Sequence, residues 1–288
     1  MTPTLQRNRR TVTVRRLVLI LPLCLIMAPE RPAASPASRP AVPQARINLD
    51  GELPSRARLE ELARTDPVAF LKACALRYHR EVHAYQAVLV KQELLGGKLC
   101  PVETVDVWFR DDPYSVLLRW RGDCAGRADR ALYVRGANDD KTLARPKNRA
   151  ARMVVGDVVA RDTDGPDARA AGRYSLREFG LRKGTERTLA AWEAAQNRGN
   201  LFVEYLGIKP VAACGGRDCF ILRRTCKPPE EDGVVSVEVA FDTQTWLQIG
   251  NVLTADGGKR IAAYHFRDVV INPQLAPDQF ERAALTRD

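Results

Sequence analysis

The segment that decides the fold is residues 103–121, ETVDVWFRDDPYSVLLRWR. Apolar side chains recur at every second position in both of its halves. This period is typical of β-strands that bury one face. Pairing apolar with apolar residues gives three opposed pairs, which are Val105 with Trp120, Val107 with Leu118 and Phe109 with Val116. That register leaves residues 111–114, Asp-Asp-Pro-Tyr, as the turn of an antiparallel hairpin.

Similar strand patterns follow one another along most of the chain. Besides the two strands of this hairpin, they are expected at 84–95, 128–135, 140–145, 151–160, 201–207, 217–225, 233–242, 246–254 and 259–268. Turns rich in Gly, Asn and Asp separate many of them, and Gly96-Gly97 marks a tight hairpin. The strands do not alternate regularly with helices, which excludes a doubly wound parallel sheet.

Two helices are predicted beside these strands. Asp66-Pro67 has the residues of a helix start, and apolar residues then recur at helical spacing as far as about residue 82. A second helix is expected at 185–198, after a polar loop at 162–180. We therefore predict an α+β fold that is mainly antiparallel β: a strongly curved, unclosed β-barrel with about two helices packed on its concave face.

The amino terminus has the pattern of an export signal. Five arginines in the first 16 residues precede an apolar run at 17–28 that is too short to span a bilayer. We predict a signal peptide at 1–37, with retention as an anchor left open, a flexible Pro/Ala-rich linker at 38–54 and a single domain at 55–288. Without those arginines the net charge falls from +10 to +5, which is ordinary for a solvated surface and does not indicate a nucleic-acid partner.

Six cysteines remain beyond the leader, and an even number in an exported chain permits disulfides. Six cysteines allow 15 pairings, so the connectivity stays open. The hairpin register brings Cys100 and Cys124 to within one residue of each other, and a bulge would align them. Cys214 and Cys219 flank a plausible hairpin loop. These two pairs are the candidate disulfides, with free buried thiols as the alternative.

Motifs that carry chemistry are scarce. The sequence contains neither a nucleophile elbow, nor a phosphate-binding loop, nor a dinucleotide-binding motif. His79 and His83 are four residues apart, and with His265 they offer three imidazoles for zinc. The sequence between them does not match His-Glu-x-x-His, and the helix is expected to end near His79. We therefore predict neither an enzyme, nor a metal site, nor a cofactor.

Several short motifs resemble a known family. They are, in order, Lys91-Gln92-Glu93, Gly97-Lys98-Leu99, Pro113-Tyr114-Ser115-Val116, Gly126-Arg127, Gly172-Arg173, Phe179-Gly180-Leu181, Gly216-Arg217-Asp218-Cys219-Phe220 and Tyr264-His265-Phe266-Arg267-Asp268. Over about residues 66–282 the chain resembles an uncharacterised domain-of-unknown-function family of exported bacterial proteins. That family is similar to the periplasmic lipoprotein carriers of the LolA and LppX type. The resemblance implies an unclosed β-barrel whose apolar concavity, plugged by helices, binds acyl chains.

The function that follows is non-enzymatic binding of an acyl chain, lipid or lipoprotein in the periplasm or cell envelope, by a monomer. The alternative is an envelope protein–protein interaction or sensor module on the same scaffold, with another envelope protein as its partner. The expected apolar lining of the concavity consists of Val105, Val107, Phe109, Val116, Leu118, Trp120, Val237, Val239 and Phe241, with Trp192 on the covering helix.

Overall fold

Two helices open the part of the chain that the computed structural model describes, which is residues 47–122 and 126–287. They are α1 (Arg56–Thr65) and α2 (Pro67–Glu81). The Ser55 hydroxyl accepts a hydrogen bond from the backbone N–H of Arg58 and caps α1. The Asp66 carboxylate accepts one from the N–H of Ala69 and caps α2. Each cap satisfies an N–H that has no partner within its helix, and the predicted start of α2 is confirmed.

The strands occupy most of the remaining chain. They are β1 (Ala84–Leu95), β2 (Lys98–Leu99), β3 (Glu103–Arg110), β4 (Ser115–Arg121), β5 (Ala128–Val134), β6 (Thr142–Pro146), β7 (Val159–Arg161), β8 (Phe202–Val211), β9 (Arg217–Glu230), β10 (Val234–Asp242), β11 (Gln248–Ala255) and β12 (Arg260–Ile271). Three further helices lie between β6 and β8. They are α3 (Arg149–Val155), α4 (Pro166–Ala171) and α5 (Leu181–Asn197).

All the described strands form one antiparallel sheet that does not close. Its order is β7-β6-β5-β4-β3-β1-β12-β11-β10-β9-β8, and β2 pairs with β1 beside this path. The sheet therefore consists of two sequential meanders joined where β1 pairs with β12. The predicted hairpin register is confirmed, since Val105 pairs with Trp120, Val107 with Leu118 and Phe109 with Val116. This architecture confirms the predicted mainly antiparallel half-barrel.

One end of the inner face of the sheet is filled by the long helices. Phe70 of α2 and Trp192 of α5 pack with Phe220 of β9 and Phe241 of β10 in a buried cluster. The ring of Phe70 lies edge-to-face on Phe220 and Phe241, at centroid distances of 5.7 Å and 5.1 Å. Edge-to-face contacts of this kind stabilise a core beyond the burial of apolar area. This end of the half-barrel is therefore solid core.

The outer face of β4–β6 is covered by the carboxyl-terminal tail. Leu285 is fully buried there with Leu117, Leu132 and Leu143. Arg130, also buried, donates a hydrogen bond of 3.2 Å to the carbonyl oxygen of Leu285 and another to that of Arg287. The sheet is therefore apolar on both faces in this region.

Three expectations need correction. The strand predicted at 151–160 is wrong, because Asn148 caps the helix α3 and only residues 159–161 of that range are extended. The loop predicted at 162–180 contains α4 and a 3-10 turn at 176–178. The described chain has five α-helices, where about two were expected. Among its described residues, none of these helices is long and apolar enough to cross a membrane.

The described cysteines are all free thiols, so the predicted bridge between Cys214 and Cys219 is not formed. The turn lies at residues 212–216, earlier than expected, and Cys219 therefore pairs with Lys209 instead of Cys214. Cys100 is also free, and its predicted partner Cys124 lies outside the described residues. The predicted signal peptide and most of the predicted linker also lie outside them. Residues 47–53 lie against the domain, where Arg80 donates hydrogen bonds to the carbonyl oxygens of Leu49 and Gly51.

Candidate functional site

A cavity of about 750 Å³ lies on the inner face of the sheet, beyond the end filled by the long helices. Its floor is formed by β1, β3–β7, β11 and β12, and α3, residues 162–180 and the start of α5 lie over it. Apolar side chains on the floor include Leu89, Val105, Leu118 and Phe266. A volume of roughly 300–1,000 Å³ with a mostly apolar lining is typical of sites for small molecules and lipids.

Residues 162–180, here called the cover segment, lie over this cavity and are fixed to the sheet by polar contacts. The Tyr114 hydroxyl is 2.7 Å and 2.9 Å from the carbonyl oxygens of Leu176 and Phe179. Thr163 is buried, and its hydroxyl lies 2.9 Å from that of Thr142 on β6. These contacts join positions far apart in sequence. They explain why a segment with little apolar periodicity adopts a defined place.

Gly180 marks the junction between the cover segment and α5. Its φ of +104° is a conformation that residues with a side chain rarely adopt. A Cβ atom at this position would lie 2.8 Å from the Tyr85 hydroxyl and 3.3 Å from the Phe109 ring. The same hydroxyl accepts a hydrogen bond of 3.2 Å from the backbone N–H of Leu181. Glycine is therefore required for α5 to begin this close to the sheet.

A buried cluster of charges forms part of the cavity wall. The Lys91 ammonium lies 2.6 Å from the Glu93 carboxylate and 3.1 Å from that of Glu103. Glu93 also accepts hydrogen bonds from the Tyr264 hydroxyl, at 2.6 Å, and from the backbone N–H of Arg173, at 3.1 Å. Because Arg173 belongs to the cover segment, this cluster connects the cover segment to the sheet.

The contacts within the cluster keep its main groups ionised. Burial alone would raise the pKa of Glu93, but Lys91 and the two hydrogen bonds outweigh it and hold that pKa below its ordinary value. Burial likewise opposes the charged form of Lys91, but the two carboxylates prevail and raise the pKa of Lys91. The wall of the apolar cavity therefore contains one charged region.

The rim of the cavity carries charges of both signs, since Asp162 and Asp167 are exposed and line it beside three basic residues. Arg127, Lys147 and Arg161 are exposed and also line the cavity, which places them where it meets solvent. Arg161 forms an ion pair of 3.2 Å with Asp167 in α4. Arg187 of α5 lies over the Tyr174 ring, 4.0 Å from its centroid. The approach to the cavity is therefore lined by cationic and acidic side chains together.

Strand pairing places all nine predicted strand residues on the inner face of the sheet. Val105, Leu118 and Trp120 line the cavity. The other seven predicted residues do not line it: Val107, Phe109 and Val116 are buried in the central core, and Val237, Val239, Phe241 and Trp192 pack in the core around α1, α2 and α5. Ligand binding by any of the ten residues stays a prediction.

The three histidines do not come together. His79 lies 3.5 Å from Glu186 of α5, His83 is exposed at the start of β1, and His265 is on β12. Desolvation lowers the pKa of His265, and nearby Arg260 adds to the effect. Within the described ranges, no group of three or more His, Cys, Asp or Glu side chains could hold a metal ion.

The sequence interpretation missed the charged cluster and the cover segment. Glu93, Arg173 and Tyr264 come from three of the motifs that resemble the known family, and the fold brings them together. The sequence motifs indicate the family resemblance of these residues but not their role. The signal available in the sequence was a set of charged residues, Lys91, Glu93 and Glu103, at alternate positions on strands expected to bury that face.

Comparison with known proteins gives one family and several similar folds. The model of a family described as a protein of unknown function, DUF1571, matches residues 82–285. No curated protein matches the chain. A chain of the Pseudomonas aeruginosa MucA/MucB complex is similar at 17% identity and a TM-score of 0.43, and the match covers 77% of this chain and 62% of that one. This chain thus spans less than two thirds of the length of the chain it matches there.

Two further solved structures are similar. One is a LolA superfamily protein from Nitrosomonas europaea, with 7% identity, a TM-score of 0.34 and a match over 74% of this chain and 98% of that one. The other is the Mycobacterium tuberculosis lipoprotein LppX, with 10% identity, a TM-score of 0.37 and a match over 70% of this chain and 93% of that one. At these identities the similarity is one of fold.

Proposed function

The chain belongs to the DUF1571 family of proteins of unknown function, and from that premise we propose that it is a non-enzymatic cell-envelope protein that holds an acyl chain or a lipid, free or attached to a lipoprotein, in its cavity. The observation that carries the proposal is the covered cavity of about 750 Å³, with an apolar floor and a charged rim. Hydrocarbon binds where apolar walls replace water, and a charged rim suits a polar headgroup.

The size of the cavity suits a hydrocarbon chain. Each buried methylene contributes about 0.8 kcal/mol, so ten of them contribute about 8 kcal/mol. Part of this gain offsets the loss of translational and conformational freedom on binding. A chain with a polar headgroup that stays at the rim gains this hydrophobic energy without taking the headgroup out of water.

The contacts in the cavity wall favour binding over catalysis. Lys91 is held between two carboxylates, and Glu93 accepts hydrogen bonds from Tyr264 and Arg173 in addition. Groups engaged with one another in this way hold the wall in place and are not poised to transfer a proton to a ligand.

Export from the cytoplasm is part of the proposal and rests on the amino-terminal sequence. Cell fractionation with amino-terminal sequencing of the mature chain tests it.

The experiment that tests the function blocks the cavity. Ala144 on β6 lines the cavity, and Ala160 on the neighbouring strand β7 is exposed and does not line it. Strand pairing sets Ala144 opposite Val159, so that Ala160 points to the other face of the sheet. We expect the protein to bind a fluorescent fatty acid. Ala144→Phe should weaken this binding at least tenfold, whereas the matched control Ala160→Phe should leave it unchanged.

Native mass spectrometry of protein purified without detergent supplies an independent measure, with co-purified lipid as the expected result. If the protein stays empty and binds neither fatty acids nor phospholipids, the function is wrong. Capture of one envelope protein, undiminished in Ala144→Phe, would instead favour the interaction module.

A further inference from the structure

We propose that the tip of α3 is a docking surface for anionic lipid membranes. Met153, Val154 and Val155 are consecutive, and 83%, 84% and 49% of their respective surfaces are exposed. Single exposed apolar residues are normal on a protein surface, but three consecutive ones at the end of a helix indicate a contact. Gly156, with a φ of +88°, ends the helix directly after them, so the apolar residues form its end.

Charge around this tip favours an anionic surface. Residues 145–161 contain five basic side chains and one acidic side chain. Arg145, Arg152 and Arg161 form ion pairs with Asp129, Asp157 and Asp167, whereas Lys147 and Arg149 are exposed at the start of α3. An apolar tip on a helix that has exposed basic residues at its start matches the two layers of an anionic membrane, whose phosphate groups surround an apolar interior. A tip of three residues is also much smaller than the area of roughly 800 Å² that each partner buries in a stable protein complex.

The position of α3 connects the membrane contact with transfer of the ligand, and this step rests on the proposed function. Val155 lines the cavity and is also half exposed, and Ala151, one turn earlier, lines the cavity as well. The helix therefore lies at the boundary between the cavity and solvent. With the tip inserted among headgroups, an acyl chain can pass between bilayer and cavity with little exposure to water. We infer that the protein loads or unloads its ligand while docked by α3.

Vesicle flotation of the full chain tests the docking surface. Val154→Asp places a carboxylate at the tip, and Val270→Asp is the matched control, since Val270 is 52% exposed on β12 and does not line the cavity. On vesicles of phosphatidylcholine with phosphatidylglycerol, we expect Val154→Asp to weaken binding about tenfold or more. Val270→Asp should leave binding within twofold. All variants share the same amino-terminal residues, so differences between them report on the substituted positions.

Two further measurements separate the electrostatic and the apolar contributions to vesicle binding. Arg149→Glu should weaken binding to anionic vesicles by roughly fivefold for each unit of charge removed, and added salt should reduce the difference. Val154→Trp should strengthen binding, and its fluorescence should shift to the blue only when vesicles are present. Because residue 154 is exposed, circular dichroism should show that each variant keeps the native fold.

The outcomes also distinguish this proposal from the proposed function. If Val154→Asp and Val270→Asp bind vesicles equally, or if anionic lipid makes no difference, membrane docking by α3 is wrong even when fatty acid still enters the cavity. If docking depends on Val154 while the cavity never takes up lipid, the proposed function fails and the docking surface stands. Capture of an envelope protein that depends on Val154, without vesicle binding, would replace the membrane with a protein partner.

Discussion

Replacing Lys91 by Met should destabilise the protein far more than an ordinary lysine substitution. Its ammonium is the cation that lies between the buried carboxylates of Glu93 and Glu103, at 2.6 Å and 3.1 Å. Methionine fills similar space but leaves both carboxylates without this partner. Removing one member of a buried ion pair costs roughly 3–5 kcal/mol, because an uncompensated charge remains. We expect Lys91→Met to lower the free energy of unfolding by an amount in this range.

Glu103→Gln is the informative comparison. In that variant Lys91 keeps Glu93 as a partner, and no buried charge is left alone. The loss should then be that of one charge-assisted hydrogen bond, about 1.5–3 kcal/mol. Lys98→Met, on the exposed strand β2, is the control for substituting a lysine and should change the free energy of unfolding by less than about 0.5 kcal/mol.

Urea unfolding followed by circular dichroism measures these differences, with the slope m as the check that the unfolded states are comparable. In the wild type, the lowered pKa of Glu93 means that its share of stability is complete above its unfolded-state pKa and is lost as the pH falls through the folded value. The raised pKa of Lys91 makes its share complete below its unfolded-state pKa, and that share is lost at strongly alkaline pH. Both shares are therefore present at neutral pH.

Acid should affect the stability of the Lys91→Met variant in the opposite direction to that of the wild type. Without the ammonium, the buried carboxylates of Glu93 and Glu103 gain stability by binding protons, so the deficit of the variant relative to the wild type should shrink as the pH falls from 7 towards about 4. A deficit equal to that of Lys98→Met at neutral pH, or one that does not change with pH, would refute the electrostatic role given to this cluster.

Other substitutions address the packing. Gly180→Ala should lower the free energy of unfolding by about 2–4 kcal/mol, because its Cβ would collide with Tyr85. The Cβ of Gly184→Ala meets no atom within 4 Å, and this variant should raise the free energy of unfolding by about 0.5–1 kcal/mol. Thermal or urea unfolding measures both. Trp192→Ala should cost about 3–5 kcal/mol, since this side chain is 1% exposed, yet fatty-acid binding should stay within about twofold because Trp192 does not line the cavity. Burial raises the pKa of Cys214 to about 12, so a thiol reagent should label it only after unfolding, as mass spectrometry of intact and urea-treated protein can show.

The sequence predicted those features of the fold that local residue patterns determine. Alternation and turn residues set the register of the hairpin between Val105 and Trp120, and the structure has that register. The caps predicted the start of α2 at Pro67. In contrast, the β-branched residues around Val154 suggested a strand where Asn148 starts a helix. A run of valines is compatible with both, and the cap decides between them.

The cavity could not be predicted from local patterns, because residues distant in sequence build it. Glu93 meets Tyr264 only because β1 pairs with β12. The cover segment takes its place from Tyr114 and from the cluster around Glu93, and little in residues 162–180 themselves indicates a defined structure. Periodicity indicates which face of a strand is buried, but not whether that face meets core or cavity. For this reason only three of the ten predicted lining residues reach the cavity.

The pairing of β1 with β12 has a consequence for the order in which the molecule assembles. Every other neighbouring pair along the main sheet joins strands that are close in sequence, whereas this one joins Tyr85 to Ile271 and Glu93 to Ala262. A chain emerging amino terminus first can form its first meander early, but one edge of β1 must wait for the last strand. An unpaired apolar edge invites association with other chains. The protein is therefore most exposed to aggregation just before its synthesis ends, and a chaperone that shields the β1 edge would protect it at that stage.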